Sequence, residues 1–287
     1  MTYIIESLKK LIPTTENNKS NFWNERLNVQ NLNLENLDKN FGFGSFEKKK
    51  FSRSILHFIF SRYLFGLKIF NTKEYKIYKE LFDKMNRQVD VDAIRHIFTF
   101  NKLKEKVNPN KICVIGDGKA NFVIGSFKIF PEAKIFSINL AETLLHDYLI
   151  IKKNNIILDS QIQIVNNLDD LKSKNKKLFL IPANKKNLLK NQNIDLFVNI
   201  VSFQEMNNDE VKNYFDIIKS NSSYLYCCNR EKKILSKKET LIFKEYPWHP
   251  NHSHYSEICP WHQYYYSFRY PFIRKYDGII LHSYTKF

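Results

Sequence analysis

The sequence predicts an α/β fold, a seven-stranded Rossmann-like sheet with helices on both faces, preceded by an N-terminal helical segment. Two observations carry this. From Lys111 onward, short apolar runs alternate with helix-compatible stretches, the pattern of a parallel sheet. The first run, Ile112–Ile115, breaks at Gly116-Asp117-Gly118 before a helical segment. Glycines at the carboxyl end of a buried strand let the backbone turn sharply, which opens a nucleotide-sized crevice in doubly wound folds.

Before residue 107 the chain reads as helices and loops. Ser54–Phe70 is interrupted by His57, Arg62 and Lys68 and is short for a membrane span, so a helix packed in protein is expected. Glu74–Arg87 sets Tyr75, Tyr78, Leu81, Phe82 and Met85 on one helical face. Asn40–Ser45, with two glycines between aromatics, reads as a flap or a packed loop. Asn108-Pro109-Asn110 is a turn, dividing an N-terminal helical or cap region (1–107) from the sheet domain (108–287). Strands are expected at 112–116, 133–139, 177–182, 194–201, 223–229, near 240–246 and at 278–286, with Gln161–Val165 a weaker candidate. Helices are expected at 119–128, 141–153, 185–191 and 207–220. Gly278–Phe287 follows the turn signal Asp277-Gly278 and reads as a terminal edge strand.

Composition narrows the class. The 287 residues are 43% hydrophobic and carry a formal charge of +16, enough chain for one main domain and a smaller piece. Only eight of the 45 basic residues are arginine and the lysines are scattered, which reads as compositional bias. Nucleic acid is therefore not the expected partner. Cys113, Cys227 and Cys228 lie in apolar runs and read as buried thiols, and no disulfide framework is implied. Met1–Pro13 has lysines inside its apolar stretch and no small-residue cleavage site. A reducing cytoplasm is the expected location, with no transmembrane segment.

Three cofactor readings compete for the glycine turn. A dehydrogenase needs G-x-G-x-x-G and an acid after the second strand, but Asn121 holds the third glycine position and that strand ends Ser137-Ile138-Asn139-Leu140. A phosphate-binding loop fails because no G-K-[ST] follows. S-adenosylmethionine binding uses a looser G-x-G-x-G, which Gly116, Gly118 and Ala120 fit with alanine last. Seven strands with a late hairpin-like pair also suit a methyltransferase-type sheet better than a six-stranded dinucleotide fold.

Downstream, SFQEM (202–206), YCCNR (226–230) and CPWHQ (259–263) follow in that order. In these segments the chain resembles the sugar O-methyltransferases of bacterial surface-polysaccharide clusters, the NanM-like group. The resemblance covers about residues 108–287 and, loosely, Phe22-Trp23. It implies a class I methyltransferase fold, S-adenosylmethionine as donor and a carbohydrate hydroxyl as acceptor, on a nucleotide sugar or glycan precursor. Topology and resemblance together place Gly116, Asp117 and Gly118 at the methionine portion, Asn139 at the ribose, Ala183, Asn184 and Leu140 about the adenine, and Ser202 beside the sulfonium. Two departures stand out. Val114 holds the place of the usual acid on the first strand, with Asp117 as a partial substitute, and Asn139 replaces the acidic ribose ligand without its charge.

A sugar hydroxyl is weakly acidic, so a base should assist its attack. His262 is the first candidate, for its place in CPWHQ, and His249 the second. Glu205 would orient the acceptor or cap the following helix, and Arg230 would hold an anionic group. Trp248, Trp261 and Tyr264 would stack on a sugar ring or pack in the core. His249, His252, His254, Cys259 and His262 match no zinc spacing and have only Glu257 as a nearby carboxylate, so no metal is assigned. The competing class is a noncatalytic Rossmann-like module that binds a polyanion, nucleic acid or an anionic glycan. A base methyltransferase ranks last, since Asn199–Met206 contains no proline for a flipped-base motif.

Overall fold

The computed structural model describes residues 3–14, 51–235, 239–248 and 256–287. Phe22-Trp23, Asn40–Ser45, His249, His252 and His254 lie outside the described residues.

The main sheet has eight strands rather than seven, in the order β3-β4-β2-β1-β5-β6-β12-β9. β1 (Lys111–Ile115), β2 (Lys134–Asn139), β3 (Ile162–Ile164), β4 (Leu178–Pro182), β5 (Leu196–Ile200) and β6 (Tyr224–Arg230) run parallel. β12 (Ile280–Lys286) is antiparallel to both β6 and β9 (Ser256–Ile258). Three expectations therefore change. The weak candidate at 161–165 is a true edge strand, β3. The segment near 240–246 stays out of the sheet: β8 (Thr240–Ile242) pairs with β7 (Lys232–Ile234) in a separate ribbon. Beyond it the chain turns at Phe243–Glu245, and Phe243, Tyr246 and Trp248 join an aromatic cluster around Phe215. Finally, the last strand is interior, because β9 covers its outer edge.

Strand alternation divides the core into two layers. Ile112, Val114, Tyr226 and Cys228 face one layer, while Cys113, Ile115, Leu225 and Cys227 face the other. The first layer is covered by α1 (Tyr3–Leu11), α3 (Lys73–Lys84), α4 (Val91–Lys104), α5 (Asn121–Ile129) and α6 (Ala141–Lys153). The second is covered by α7 (Asn208–Ser220) and a 3-10 segment, Ala183–Leu189, where an α-helix was expected. Three of these helices start at polar caps: Thr72 accepts from the Tyr75 N–H, Asp90 from Ala93 and Asn207 from Glu210.

α2 (Phe51–Phe65) is only half packed. His57 bonds the Tyr266 hydroxyl and Phe60 stacks on Phe272, holding it to the ribbon of β10 (Tyr264–Tyr266) and β11 (Ile273–Lys275). Its other side leaves Ile55, Phe58, Ile59 and Tyr63 exposed. No described helix is long and apolar enough to cross a membrane.

The carboxyl ends of β1, β5 and β6 are joined by a buried amide network. Asn199 Nδ2 donates to the Ile115 carbonyl at 3.2 Å, and its Oδ1 accepts from the Phe203 N–H at 3.1 Å and from Asn229 Nδ2 at 2.8 Å. Asn229 Oδ1 accepts from the Gln204 N–H at 3.2 Å, and Gln204 Oε1 accepts from the Arg230 N–H at 2.9 Å. Asn199 and Asn229 are wholly buried. Replacing Asn199 by alanine strands several of these groups in a dry interior. Each unmet partner costs about 1–3 kcal/mol, so Asn199→Ala is expected to lower the unfolding free energy by about 2–4 kcal/mol in urea titrations, against under about 1 kcal/mol for exposed Asn166→Ala.

Candidate functional site

The strand order reverses between β1 and β5, the topological switch point at which α/β sheets bind ligands. A cavity of about 720 Å³ opens there along the carboxyl edge of the sheet.

The glycine turn forms its floor. Gly116 has φ +79°, and a Cβ there would run into the Cβ and Oγ of Ser202. Glycine is thus required by the approach of β1 to the loop after β5. Left-handed backbone recurs at Ala120, φ +54°, just before α5. Asp117 caps that helix: its Oδ2 accepts the Val123 N–H at 2.7 Å. Burial pushes the Asp117 carboxyl above its usual range, against the opposing pull of His96 and the backbone N–H groups of Val123, Phe122 and Lys119. The Asp117 carbonyl in turn accepts from Asn139 Nδ2 at 3.3 Å, while Asn139 Oδ1 holds the Leu140 N–H at 3.0 Å. Both residues that replace the expected acids therefore clasp the turn itself.

Val201, at the end of β5, has φ +60°. This is an outlier for a β-branched residue, costing roughly 1–3 kcal/mol. Its N–H is tied to the Cys228 carbonyl at 2.7 Å, and the strain presents Ser202 to the cavity.

At one end of the cavity α4 brings Asp92, Arg95 and His96 to a single face, joined by Lys119, His262 and Tyr276. Arg95 is almost fully buried, with four of its five N–H groups in the bonds that follow. It donates to Asp92 Oδ1 at 2.9 Å, the Tyr276 hydroxyl at 2.8 Å, the Tyr264 carbonyl at 2.8 Å and the Trp261 carbonyl at 3.0 Å. It pins the C-terminal segment to α4. His96 packs edge-on against Phe122, ring centroids 5.4 Å apart, and its Nδ1 bonds no described group. Seclusion from water holds its pKa below the ordinary value, although Asp117, Asp92 and Asp90 pull the other way. His262 is nearly fully buried and turns Nδ1 toward two thiols, Cys259 Sγ at 3.2 Å and Cys228 Sγ at 3.6 Å.

Gly116, Asp117, Gly118, Asn139, Leu140, Ala183, Ser202, Glu205 and His262 all line the cavity. Asn184 does not; it donates to the Thr14 carbonyl at 3.2 Å. Nor do the four residues expected to hold substrate. Trp248 is buried in the opposite layer with Nε1 on the Phe243 carbonyl, and Trp261 stacks on Phe98 at 5.2 Å. Arg230 pairs with Asp277 at 3.2 Å, and Tyr264 lies on the outer ribbon, half exposed. The helix after Glu205 is capped by Asn207, and Glu205 itself lines the cavity. His249 lies outside the described residues. Asp92, Arg95 and His96 were marked in the sequence only by their i, i+3, i+4 spacing.

No family model and no curated protein matches the chain. Among solved structures it is similar to a candidate O-methyltransferase of Klebsiella pneumoniae, at 9% identity over 81% of this chain and 96% of that one, TM-score 0.44. A candidate O-methyltransferase of Nostoc punctiforme shows 11% identity over 81% and 68%, TM-score 0.42. M. capricolum TrmK, solved with S-adenosyl-homocysteine, shows 15% over 66% and 67%, TM-score 0.37.

The turn geometry sets a stability test. Relief of the left-handed strain at residue 120 and the greater chain entropy of glycine nearly offset each other, so Ala120→Gly is expected to change the unfolding free energy by less than about 1 kcal/mol. Ala120→Val, β-branched at the same φ, is expected to lose about 2 kcal/mol or more. Thermal melts of the pair check it.

Proposed function

We propose that the chain is an S-adenosylmethionine-dependent O-methyltransferase acting on a sugar hydroxyl in glycan precursor synthesis. The observation that carries this reading is one cavity that spans the β1–β5 switch point, with the clasped glycine turn on its floor and a neutral imidazole, His96, in its wall. Its volume, about 720 Å³, falls within the range of small-molecule sites. The turn fits the donor: Gly116–Gly118 offers close backbone to the methionine portion, Asn139 to the ribose, Leu140 and Ala183 to the adenine, and Ser202 to the sulfonium side. The donor supplies an activated methyl with a good leaving group, so positioning provides much of the acceleration.

The chain's own residues handle the acceptor. His96 takes the hydroxyl proton. Its ring is partly exposed in the cavity wall, whereas His262 is nearly fully buried with its Nδ1 engaged by thiols. His96 therefore replaces His262 as the preferred base. Asp92, Lys119, Tyr276 and Glu205 bring hydrogen-bonding groups of both senses to the cavity, suited to a polyhydroxylated ring. The carbohydrate assignment rests on this polar end and on the resemblance in the SFQEM, YCCNR and CPWHQ segments.

Calorimetry of the full chain is expected to give one S-adenosylhomocysteine site, weakened at least about tenfold by Gly118→Asp. His96→Gln is expected to leave donor binding intact and to lower turnover of a sugar acceptor by about 100-fold or more. A base must be neutral to accept a proton, and the His96 pKa lies below the ordinary value of about 6.5. The rate should therefore fall only in more acid solution than it would with an ordinary histidine as base. Absence of donor binding, with salt-dependent binding of polyanions, would overturn the reading in favour of a noncatalytic module.

A further inference from the structure

Three buried side chains behind the cavity wall converge on one point. Cys228 lies on β6, on the sheet face that Tyr226 also occupies, and Cys259 follows β9 directly. His262 comes three residues later, in a turn closed by the His262 N–H on the Cys259 carbonyl at 3.3 Å and by Gln263 Nε2 on the same oxygen at 2.8 Å. The tight C-x-x-H turn puts Sγ and Nδ1 on one side, 3.2 Å apart, and β6 supplies the second sulfur 3.6 Å from the same nitrogen. The three donor atoms all lie within 4.8 Å of one another.

We propose that Cys228, Cys259 and His262 form a three-ligand site for a soft divalent cation, zinc being the expected occupant. Zinc bonds of about 2.3 Å to sulfur and about 2.1 Å to nitrogen give, at tetrahedral angles, sulfur–nitrogen edges of about 3.6 Å. The observed separations of 3.2 and 3.6 Å need only a small outward adjustment to reach them. The ligand types agree, since thiolate with imidazole selects zinc over the hard cations. So does the charge: two thiolates neutralise a divalent ion, as a site with both sulfurs fully buried requires.

Among the described residues no fourth Cys, His, Asp or Glu joins the group. Nearby His282 has both nitrogens engaged, Nδ1 with the Tyr226 hydroxyl at 3.1 Å and Nε2 with Glu257 at 2.9 Å. The fourth position is thus left to solvent or ligand, and His262 also lines the cavity. The site ties β6 to the C-terminal segment that forms the cavity wall. A cation on Nδ1 also makes Nε2 of His262 a permanent N–H donor, which leaves proton removal to His96. The metal site itself does not depend on the proposed reaction.

The test is a cobalt titration of the full chain, purified under reductant and stripped with chelator. One equivalent of Co²⁺ should bring up sulfur-to-cobalt charge-transfer absorption and tetrahedral ligand-field bands. Zn²⁺ should abolish both, and each metal should raise the melting temperature. Cys259→Ser and His262→Gln should weaken or abolish the charge-transfer band, while Cys113→Ala and Cys227→Ala, on the opposite sheet face, should keep it. Far-UV circular dichroism confirms that each variant is folded. A folded, reduced wild-type chain that takes up no cobalt overturns the proposal, with or without a Cys228–Cys259 disulfide on oxidation. Bands that persist in both folded ligand variants overturn it equally.

Discussion

The carboxamide of Asn199 is the point on which the carboxyl edge of the sheet depends. Three parallel strands end there side by side, and each ending leaves backbone groups without a ladder partner. One side chain meets the Ile115 carbonyl of β1 and the Phe203 N–H beyond β5, and receives Asn229 from β6. An amide has donors on one side and an acceptor on the other, so it can span groups of opposite sense in a buried space. Gln204 and Asn229 extend the same scheme into the next loop. SFQEM and YCCNR, which look like ligand-binding segments in the sequence, owe much of their polarity to this scaffold.

That rigid edge allows strain to be held beside it. Val201 keeps a left-handed backbone because its N–H is fixed to the Cys228 carbonyl on one side and the network begins two residues later on the other. Gly116 is forced to be glycine by the resulting position of Ser202. The strained and cramped residues are therefore one feature: β1 and β5 are drawn together at their ends, and the cavity opens just beyond. Arg95 closes the other side. Its bonds to Asp92, Trp261, Tyr264 and Tyr276 join α4 to a segment about 170 residues later, so a wall made of two distant parts of the chain behaves as one.

Much of this was legible in the sequence, and the rest was hidden for identifiable reasons. Strands buried on both faces appear as continuous apolar runs, so β1, β2, β4, β5 and β6 could be placed within a residue or two. The run at 240–246 looks the same, yet Phe243, Tyr246 and Trp248 bury their rings against Phe215 from a turn instead of pairing as a strand. β9 has three residues and borrows its order from β12, so no local pattern announces it. Among site residues, those tied to the glycine turn were found because glycine leaves a local signature. Asp92, Arg95 and His96 carry only the spacing of a helical stripe, and a polar stripe on a helix ordinarily faces water. Only the fold shows that this stripe faces a cavity.

The two residues that stand in for the expected acids indicate how a donor site of the kind proposed would persist without them. An acid at such a turn can serve a ligand directly or hold the backbone in the shape that serves it. Asp117 does the second, since its carboxylate is occupied by the first N–H groups of α5. Asn139 does so as well, with its amide shared between the turn and the start of α6. Both side chains hold the shape of the turn, and much of what it presents to a ligand is backbone: the N–H and carbonyl groups of a loop already set in position. Such a site gives up charge-assisted contacts and gains preorganisation, because little ordering is left to be done on binding. In a cavity whose opposite wall is fixed by Arg95, the relative placement of the donor and acceptor proposed above would be built in before either arrives.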